Sequence, residues 1–350
     1  MQSKFVLYGI ATILIVSVAA YGVYLYTNPT PSPPGNSNTS NNTVFTPVNI
    51  TDYYGRNVTI SSPVKRIVCL NSGFTEIICA MGGESLIVGR ESYSTFPASM
   101  QNVTVVGTTS WNVNVELVLE LEPDLIISDI MIHSEDLTRF EEANITTIIE
   151  YPADLTRVQQ FMSYMAQILK TPKASALISW MNQYVNLVDQ RLQNLTASEM
   201  PKFYFEFVQP YMAYGSGSRI GQLVKGGINI VNSTSDNTKV SAEFVLEQNP
   251  DVVLLTTYSP TQTYNEEFFQ SNLAAFQARE GLSNLAAVQS GRVYLFSYTL
   301  LQGMRIPVGM LFFAKCMQPD RFSDIDVNNV LRDLYRQFFD YELQGIYVYP

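Results

Sequence analysis

Two glutamates sit in a phrase that this chain uses twice. Residues 116–124 read Glu-Leu-Val-Leu-Glu-Leu-Glu-Pro-Asp, and residues 243–251 read Glu-Phe-Val-Leu-Glu-Gln-Asn-Pro-Asp. Each phrase runs into an apolar stretch, Leu125-Ile126-Ile127 or Val252-Val253-Leu254-Leu255. Glu116 and Glu243 therefore fall in the first turn of a helix, where a carboxylate stabilises the helix dipole by ~0.3–1 kcal/mol and needs no partner. Matched carboxylates on two lobes can also face a basic partner, and a carboxylate pair can do acid–base work. The rest of the enzyme vocabulary is missing: there is no nucleophile elbow, no P-loop and no Gly-x-Gly-x-x-Gly. Capture of a bare metal ion is disfavoured, because such sites need several His and carboxylate ligands and the chain has 1 His, His133. His133 reads as a solvated loop residue, with an axial-ligand role open only if the ligand is a corrinoid or haem.

Open α/β sheets bind ligands in the loops beyond the carboxyl ends of their strands. The residues so placed are Ser72, Tyr93, Trp111, Tyr211, Tyr214, Tyr258 and Tyr298. Aromatic rings of this kind suit a large, flat or greasy ligand. With 21 Tyr in the chain, each one taken alone reads more readily as packing. Arg219 and Arg305 are the basic residues expected at the cleft, where a guanidinium fork would neutralise a carboxylate or an anionic chelate. A purely structural role is equally open for both.

The elements that must position these residues alternate. Residues 50–60 read as a hairpin turning at Tyr54-Gly55-Arg56-Asn57, and Arg66–Leu70 as a buried strand followed by a helix that stops at Gly82-Gly83. Further strands are expected at 86–89, 103–106, 124–128 and 145–149, with helices at 116 onward and 134–143. A long helix is expected from Pro172 to Leu195, with Pro at its start and one apolar face. The second half repeats the order: a strand at 202–208, a helix ending at Gly226-Gly227, the second Glu helix capped by Ser241, and strands at 251–256 and 292–296. Helices from about Pro307 and Val327 end the chain. The fold class predicted is α/β: two similar Rossmann-like lobes with parallel sheets, joined by one long α-helix, with the ligand cleft between them. The predicted boundaries are 48–171 for the first lobe, 172–196 for the connecting helix and 197–350 for the second lobe.

The N-terminus sets the compartment. Phe5–Tyr26 is an unbroken apolar run, long enough at ~1.5 Å per residue to cross a ~30 Å hydrocarbon core. That length favours an uncleaved membrane anchor (residues 1–26) over a secretory signal cleaved near Ser17-Val18-Ala19. Residues 27–47 are a Pro/Asn/Ser/Thr-rich disordered tether. The folded body is then expected outside the cell, held to the membrane through residues 5–26. Acceptor triplets at Asn38, Asn41, Asn49, Asn57, Asn102, Asn144, Asn194 and Asn232 are compatible with a glycosylated surface protein. Hydrophobic residues at 46% and charged residues at 15% are ample for sizeable cores, and a net charge of −10 without a Lys/Arg-dense stretch argues against a nucleic-acid partner. Cys69, Cys79 and Cys316 lack metal-site spacing and read as buried thiols, with a Cys69–Cys79 bridge left open.

From about Thr51 onward the chain resembles the substrate-binding proteins of ABC importers for cobalamin, ferric siderophores and haem, the type whose lobes are joined by one helix. The resemblance rests on Thr51-Asp52 with Gly55-Arg56, on Arg66-Ile67-Val68 leading to Gly73-Phe74-Thr75-Glu76, and on Val88-Gly89 with Tyr93. It continues through Val106-Gly107 with Trp111, Glu116 with Pro123-Asp124, Ile306-Pro307-Val308-Gly309, Ala314-Lys315, and Pro319-Asp320-Arg321-Phe322. It implies a monomeric binding protein, not an enzyme, with no cofactor of its own. Its ligand would be an iron- or cobalt-containing chelate: a ferric siderophore first, a corrinoid or haem next. The loaded protein would dock on an ABC permease driven by its ATPase, with Glu116 and Glu243 facing permease arginines. Tyr93 and Trp111 match positions that line the pocket in that family, although Trp111 stands one residue closer to Glu116 than in cobalamin binders. A tethered surface receptor or adhesive module without transport, or an α/β surface enzyme, is the alternative.

Overall fold

The computed structural model describes residues 45–259 and 264–350. The apolar run Phe5–Tyr26, most of the tether, Asn38 and Asn41 lie outside the described residues. Among the described residues no helix is long and apolar enough to cross a membrane.

An antiparallel hairpin opens the folded body: β1 (Val48–Thr51) pairs with β2 (Asn57–Ile60), Val48 opposite Ile60. The buried Asp52 organises its turn. One carboxylate oxygen accepts from the Tyr54 and Arg56 amides at 3.0 Å each, and the other from the Arg56 guanidinium at 2.6 and 2.9 Å.

The first sheet contains β3 (Ile67–Cys69), β4 (Ile87–Glu91), β5 (Thr104–Thr109), β6 (Asn112–Val113), β7 (Leu125–Asp129) and β8 (Thr146–Glu150), in the order β6-β5-β4-β3-β7-β8. All pairings are parallel except β5 with β6. The chain builds outward from β3 on one side and then crosses to β7 on the other, so the order reverses between β3 and β7. That switch point opens a crevice at the strands' carboxyl ends. The central strands are buried on both faces, so Ile67-Val68-Cys69 and Leu125-Ile126-Ile127 are continuous apolar runs without alternation.

The second sheet contains β9 (Lys202–Glu206), β10 (Met212–Ala213), β11 (Ile228–Asn229), β12 (Thr238–Lys239), β13 (Val252–Thr257), β14 (Val293–Ser297) and β15 (Val348–Tyr349). Its order is β12-β10-β9-β13-β14-β15, with β11 also on β9. β9, β11, β13 and β14 run parallel, whereas β10, β12 and β15 are antiparallel. The sheets are thus mixed and not purely parallel as predicted. The antiparallel additions are two-residue strands at or next to the sheet edges, too short to carry a periodic signal.

The helices are α1 (Ser72–Ala80), α2 (Val115–Glu120), α3 (Ser134–Glu142), α4 (Leu155–Leu169), α5 (Pro172–Arg191), α6 (Ala242–Gln248), α7 (Glu266–Gln277), α8 (Ala286–Gln289), α9 (Ile306–Met317) and α10 (Val327–Phe339). The repeated phrase does the same work in both halves. Asn114 caps α2 by accepting from the Leu117 amide at 3.0 Å, and Ser241 caps α6 by accepting from Phe244 at 3.1 Å. After each helix the Pro-Asp aspartate holds the start of a neighbouring strand: Asp124 accepts from the Lys65 and Arg66 amides at 2.7 and 2.8 Å, and Asp251 from Lys202 at 2.8 Å. The helix expected before Gly226-Gly227 is only a single 3-10 turn, Gly221–Leu223. Gly226 and Gly227 instead let the chain pass close to Leu192, Met317 and Phe203.

α5 lies between the two sheets in sequence and buries Leu177, Trp180, Met181 and Val188 against α4 and α9. One continuous apolar core runs from Val48 to Val348 and takes in both sheets, α5, α9 and α10. The C-terminal α10 packs back on α1 of the first sheet. The joint is therefore a packed seam, wider than a single strut. All three cysteines are free and buried, without a Cys69–Cys79 bridge, and burial pushes the Cys69 thiol up to about 12. The six described asparagines of the Asn-x-Ser/Thr triplets, Asn49 to Asn232, are exposed.

Candidate functional site

A cleft of about 450 Å³ opens between the two sheets, within the size range of small-molecule sites. One wall comes from the loops after β3, β4, β7 and β8, flanking the point between β3 and β7 where the strand order reverses. The other comes from the loops after β13 and β14 and the turn leading into α9.

On the first wall Asn71 caps α1, accepting from the Gly73 and Phe74 amides at 2.9 and 3.3 Å. Its amide nitrogen donates to Asp129 at 2.9 Å. Asp129, at the carboxyl end of β7, also accepts from the Met131 amide at 2.9 Å and from the Ser110 hydroxyl. Every donor to this aspartate is neutral. Glu91, at the end of β4, accepts from the Ser94 hydroxyl at 2.5 Å and from the Tyr93 amide. Burial holds its carboxyl above the usual range, and those two bonds offset only part of that shift.

Five tyrosines, Tyr93, Tyr151, Tyr258, Tyr264 and Tyr298, line the cleft from both walls. Tyr93 and Tyr258 are 48% and 41% exposed, so both rings are open to a ligand. At the floor Arg305 crosses the seam. Its guanidinium donates to Glu76 Oε1 and the Tyr335 hydroxyl, each at 2.9 Å, and to the Thr299 carbonyl at 2.9 Å. Tyr335 in turn donates to Glu76 Oε2 at 3.1 Å. Close behind, the Gly303 amide donates to the Pro152 carbonyl at 2.8 Å. Gly303 has φ +57° and lies against the Gly73 backbone, where a side chain would meet Gly73 O at 3.0 Å. Among the described residues no His/Cys/Asp/Glu group could hold a metal ion.

Of the residues singled out from sequence, Ser72, Tyr93, Tyr258, Tyr298 and Arg305 line this cleft. Arg305 is bound to Glu76, so its charge is matched inside the protein. Arg219 is outside the cleft lining and half exposed: it pairs with Asp154 at 3.3 Å and sits over the Tyr53 and Tyr151 rings at 5.1 and 5.4 Å. Tyr214 is buried between Phe205 and Phe207. Tyr211 has φ +61°, bonds Glu206 through its amide and packs under Arg279. Neither ring reaches the cleft, because the chain after β9 folds back as β10. Trp111 is 60% exposed, outside the cleft lining, with its ring 3.9 Å from that of His133. Glu116 and Glu243 are exposed. Arg139, at 2.7 Å, holds the Glu116 carboxyl below its usual range. Backbone and Ser241 hydrogen bonds do the same for Glu243. Sequence reasoning missed Glu91, Asp129 and Tyr151. Each ends a parallel strand or directly follows one, so the strand-end rule reaches them once acidic residues are admitted beside aromatics.

Comparison with known proteins fits this geometry. The family model described as periplasmic binding protein matches residues 67–298. A cobalamin-binding protein of Halobacterium salinarum is 28% identical over 254 residues, 70% of this chain and 68% of that one. An uncharacterized ABC transporter substrate-binding lipoprotein of Bacillus subtilis is 25% identical over 291 residues, 79% of this chain and 88% of that one. The solved structure of the molybdate periplasmic binding protein MolA of Haemophilus influenzae aligns with a TM-score of 0.68 at 22% identity, covering 85% of this chain and 99% of that one. With two lobes, a cleft at the switch point and a family match across both sheets, this chain belongs to the periplasmic binding proteins, a family of solute binders and not of enzymes.

Proposed function

We propose that this protein captures a metal chelate in the cleft and delivers it to an ABC permease powered by its ATPase. The observation that carries the reading is the cleft itself, walled by five tyrosines drawn from both lobes. Such walls suit a flat or greasy chelate better than a small hydrated ion. A corrinoid is the first choice, since one relative is named for cobalamin. A ferric siderophore and haem follow. The continuous core through the seam supports a modest closure on loading. Ligand contacts fall to Ser72, Tyr93, Tyr258 and Tyr298, with Trp111 and His133, which pack on each other outside the lining, as further candidates.

Docking falls to Glu116 and Glu243. Each stands exposed in the first turn of an equivalent helix, one per lobe, so the pair presents a two-point acidic face to a basic permease surface. The run Phe5–Tyr26 holds the protein at the outer membrane surface, with the Pro/Asn tether as spacer and the exposed Asn triplets as glycosylation acceptors. The body works as a monomer.

Uptake of labelled corrinoid by cells carrying this protein and its permease tests the whole reading. Glu116→Ala and Glu243→Ala together should abolish uptake while ligand binding is retained. Uptake unchanged in that double variant removes the docking role, and uptake unchanged without the protein removes the transport role.

A further inference from the structure

The charges around the cleft do not balance. Glu76, Glu91 and Asp129 line it, and Arg305 is the cationic side chain among the lining residues. Arg305 is already matched by Glu76 at 2.9 Å. Among the described residues, that leaves Glu91 and Asp129 without a cationic hydrogen-bond donor. Arg90, beside Glu91, turns its guanidinium to the carbonyls of Met100 and Glu91 at 2.6 and 3.0 Å, and its charge offsets part of the upward shift of the Glu91 carboxyl, so Asp129 carries the imbalance. Arg219, outside the lining but over the ring of the lining Tyr151, pairs with Asp154 at 3.3 Å, and Arg157 faces Glu150 at 2.6 Å. Asp236, which accepts from the Tyr151 hydroxyl at 3.4 Å, adds a further negative charge behind the lining.

The field reaches the surrounding groups. Burial is the largest cause of the raised Tyr54, Glu91 and Tyr298 groups, and the Asp129 charge pushes each one further in the same direction. Asp129 is also fixed in place: it is 7% exposed and anchored by Ser110, Asn71 and the Met131 amide. A fixed charge in a partly desolvated cleft acts on a ligand far more strongly than one in bulk water.

Resting on the reading of this cleft as the binding site, we infer that it selects cationic and uncharged chelates against anionic ones, with Asp129 as the specificity-determining residue. The ligand class is then a cationic corrinoid or a cationic or neutral ferric hydroxamate. Ferric tris-catecholates and oxyanions such as molybdate are repelled, although one structural relative carries molybdate in its name.

The test is calorimetric titration of the full chain in detergent, as wild type, Asp129→Asn and Glu91→Gln, with thermal melts to confirm folding. Asparagine keeps the shape, and its carbonyl oxygen can still accept from Ser110 and Met131. The probes are aquocobinamide and a cationic ferric hydroxamate, neutral cyanocobalamin, and ferric tris-catecholate with molybdate. Wild type should favour the cationic or neutral probes over the anionic ones by about tenfold or more. Asp129→Asn should weaken the cationic probes by about tenfold, leave the neutral one within about twofold and strengthen the anionic ones. Glu91→Gln should shift the same ratio the same way if Asp129→Asn fails to fold. Wild type preferring an anionic probe, or ratios unmoved in both variants, overturns the inference and leaves the chelate reading standing. No binding by any probe overturns both.

Discussion

Replacing Arg305 by Met should destabilise this protein more than any surface charge change. Arg305 and Glu76 are both only 9% exposed at the side chain and meet at 2.9 Å, with Tyr335 bonded to each. Methionine fills much of the space but leaves the Glu76 carboxylate with Tyr335 as its donor in a dry seam. Breaking a buried pair from one side costs about 3–5 kcal/mol, a large share of a total near 5–15 kcal/mol. The Thr299 carbonyl also loses its guanidinium donor, adding about 1 kcal/mol. Protonation of Glu76 relieves part of this. Burial already holds that carboxyl above its usual value of 4.5 despite the guanidinium, and without Arg305 the shift grows. The variant's folded state therefore holds a proton that its unfolded state has lost above pH 4.5, so the deficit shrinks toward pH 5 and is largest at pH 8. Urea unfolding of residues 45–350 at both pH values, for Arg305→Met and for the double variant with Glu76→Gln, reads these energies. The double variant should recover about 1–3 kcal/mol. A loss under about 1 kcal/mol, or one independent of pH, would refute the seam as a buried ion pair.

Other outcomes follow from the buried carboxyls, the seam and the cleft. Burial raises Glu91, Glu150 and Glu206 above 4.5, so each favours the folded state below that value and loses this contribution as pH rises through the folded pKa. Melting temperature should accordingly fall from pH 5 to pH 8, and a steady rise across that range would contradict it. Gly303→Ala should cost about 1–2 kcal/mol, because φ is +57° and the Gly73 carbonyl lies 3.0 Å from the new methyl; an unchanged urea midpoint would show that the seam gives way. Tyr93→Ala removes a half-exposed ring. It should leave stability within about 0.5 kcal/mol and weaken chelate binding by about threefold to tenfold, read by titration; unaltered affinity would take Tyr93 out of the site.

The lobes were readable because the chain repeats a physical task. Asn114 and Ser241 each cap a helix, and Asp124 and Asp251 each fasten a neighbouring strand, so the two phrases look alike. The first hairpin was readable for a similar local reason, the Asp52–Arg56 turn. The mixed pairing was not, because β10 is a two-residue fold-back on β9, and β12 and β15 are pairs of residues held by partners distant in sequence. That same fold-back removes Tyr211 and Tyr214 from the cleft. Arg305 shows the other limit: a basic residue at a cleft floor reads alike whether it faces a ligand or Glu76, which stands 229 positions earlier. Asp129 ends β7, where a lone acidic residue after an apolar strand reads in sequence as an ordinary solvated turn residue.

The most direct test of the central claim is ligand-dependent quenching of tyrosine and tryptophan fluorescence, using residues 45–350, a single compact unit. Titrants are cobinamide, cobalamin, ferric hydroxamate, ferric catecholate and haem. Saturable quenching by one class at micromolar concentration or below, weakened in Tyr258→Ala and Tyr298→Ala, is the predicted result. Quenching by none of them, or quenching indifferent to both substitutions, would contradict the cleft as a chelate-binding site.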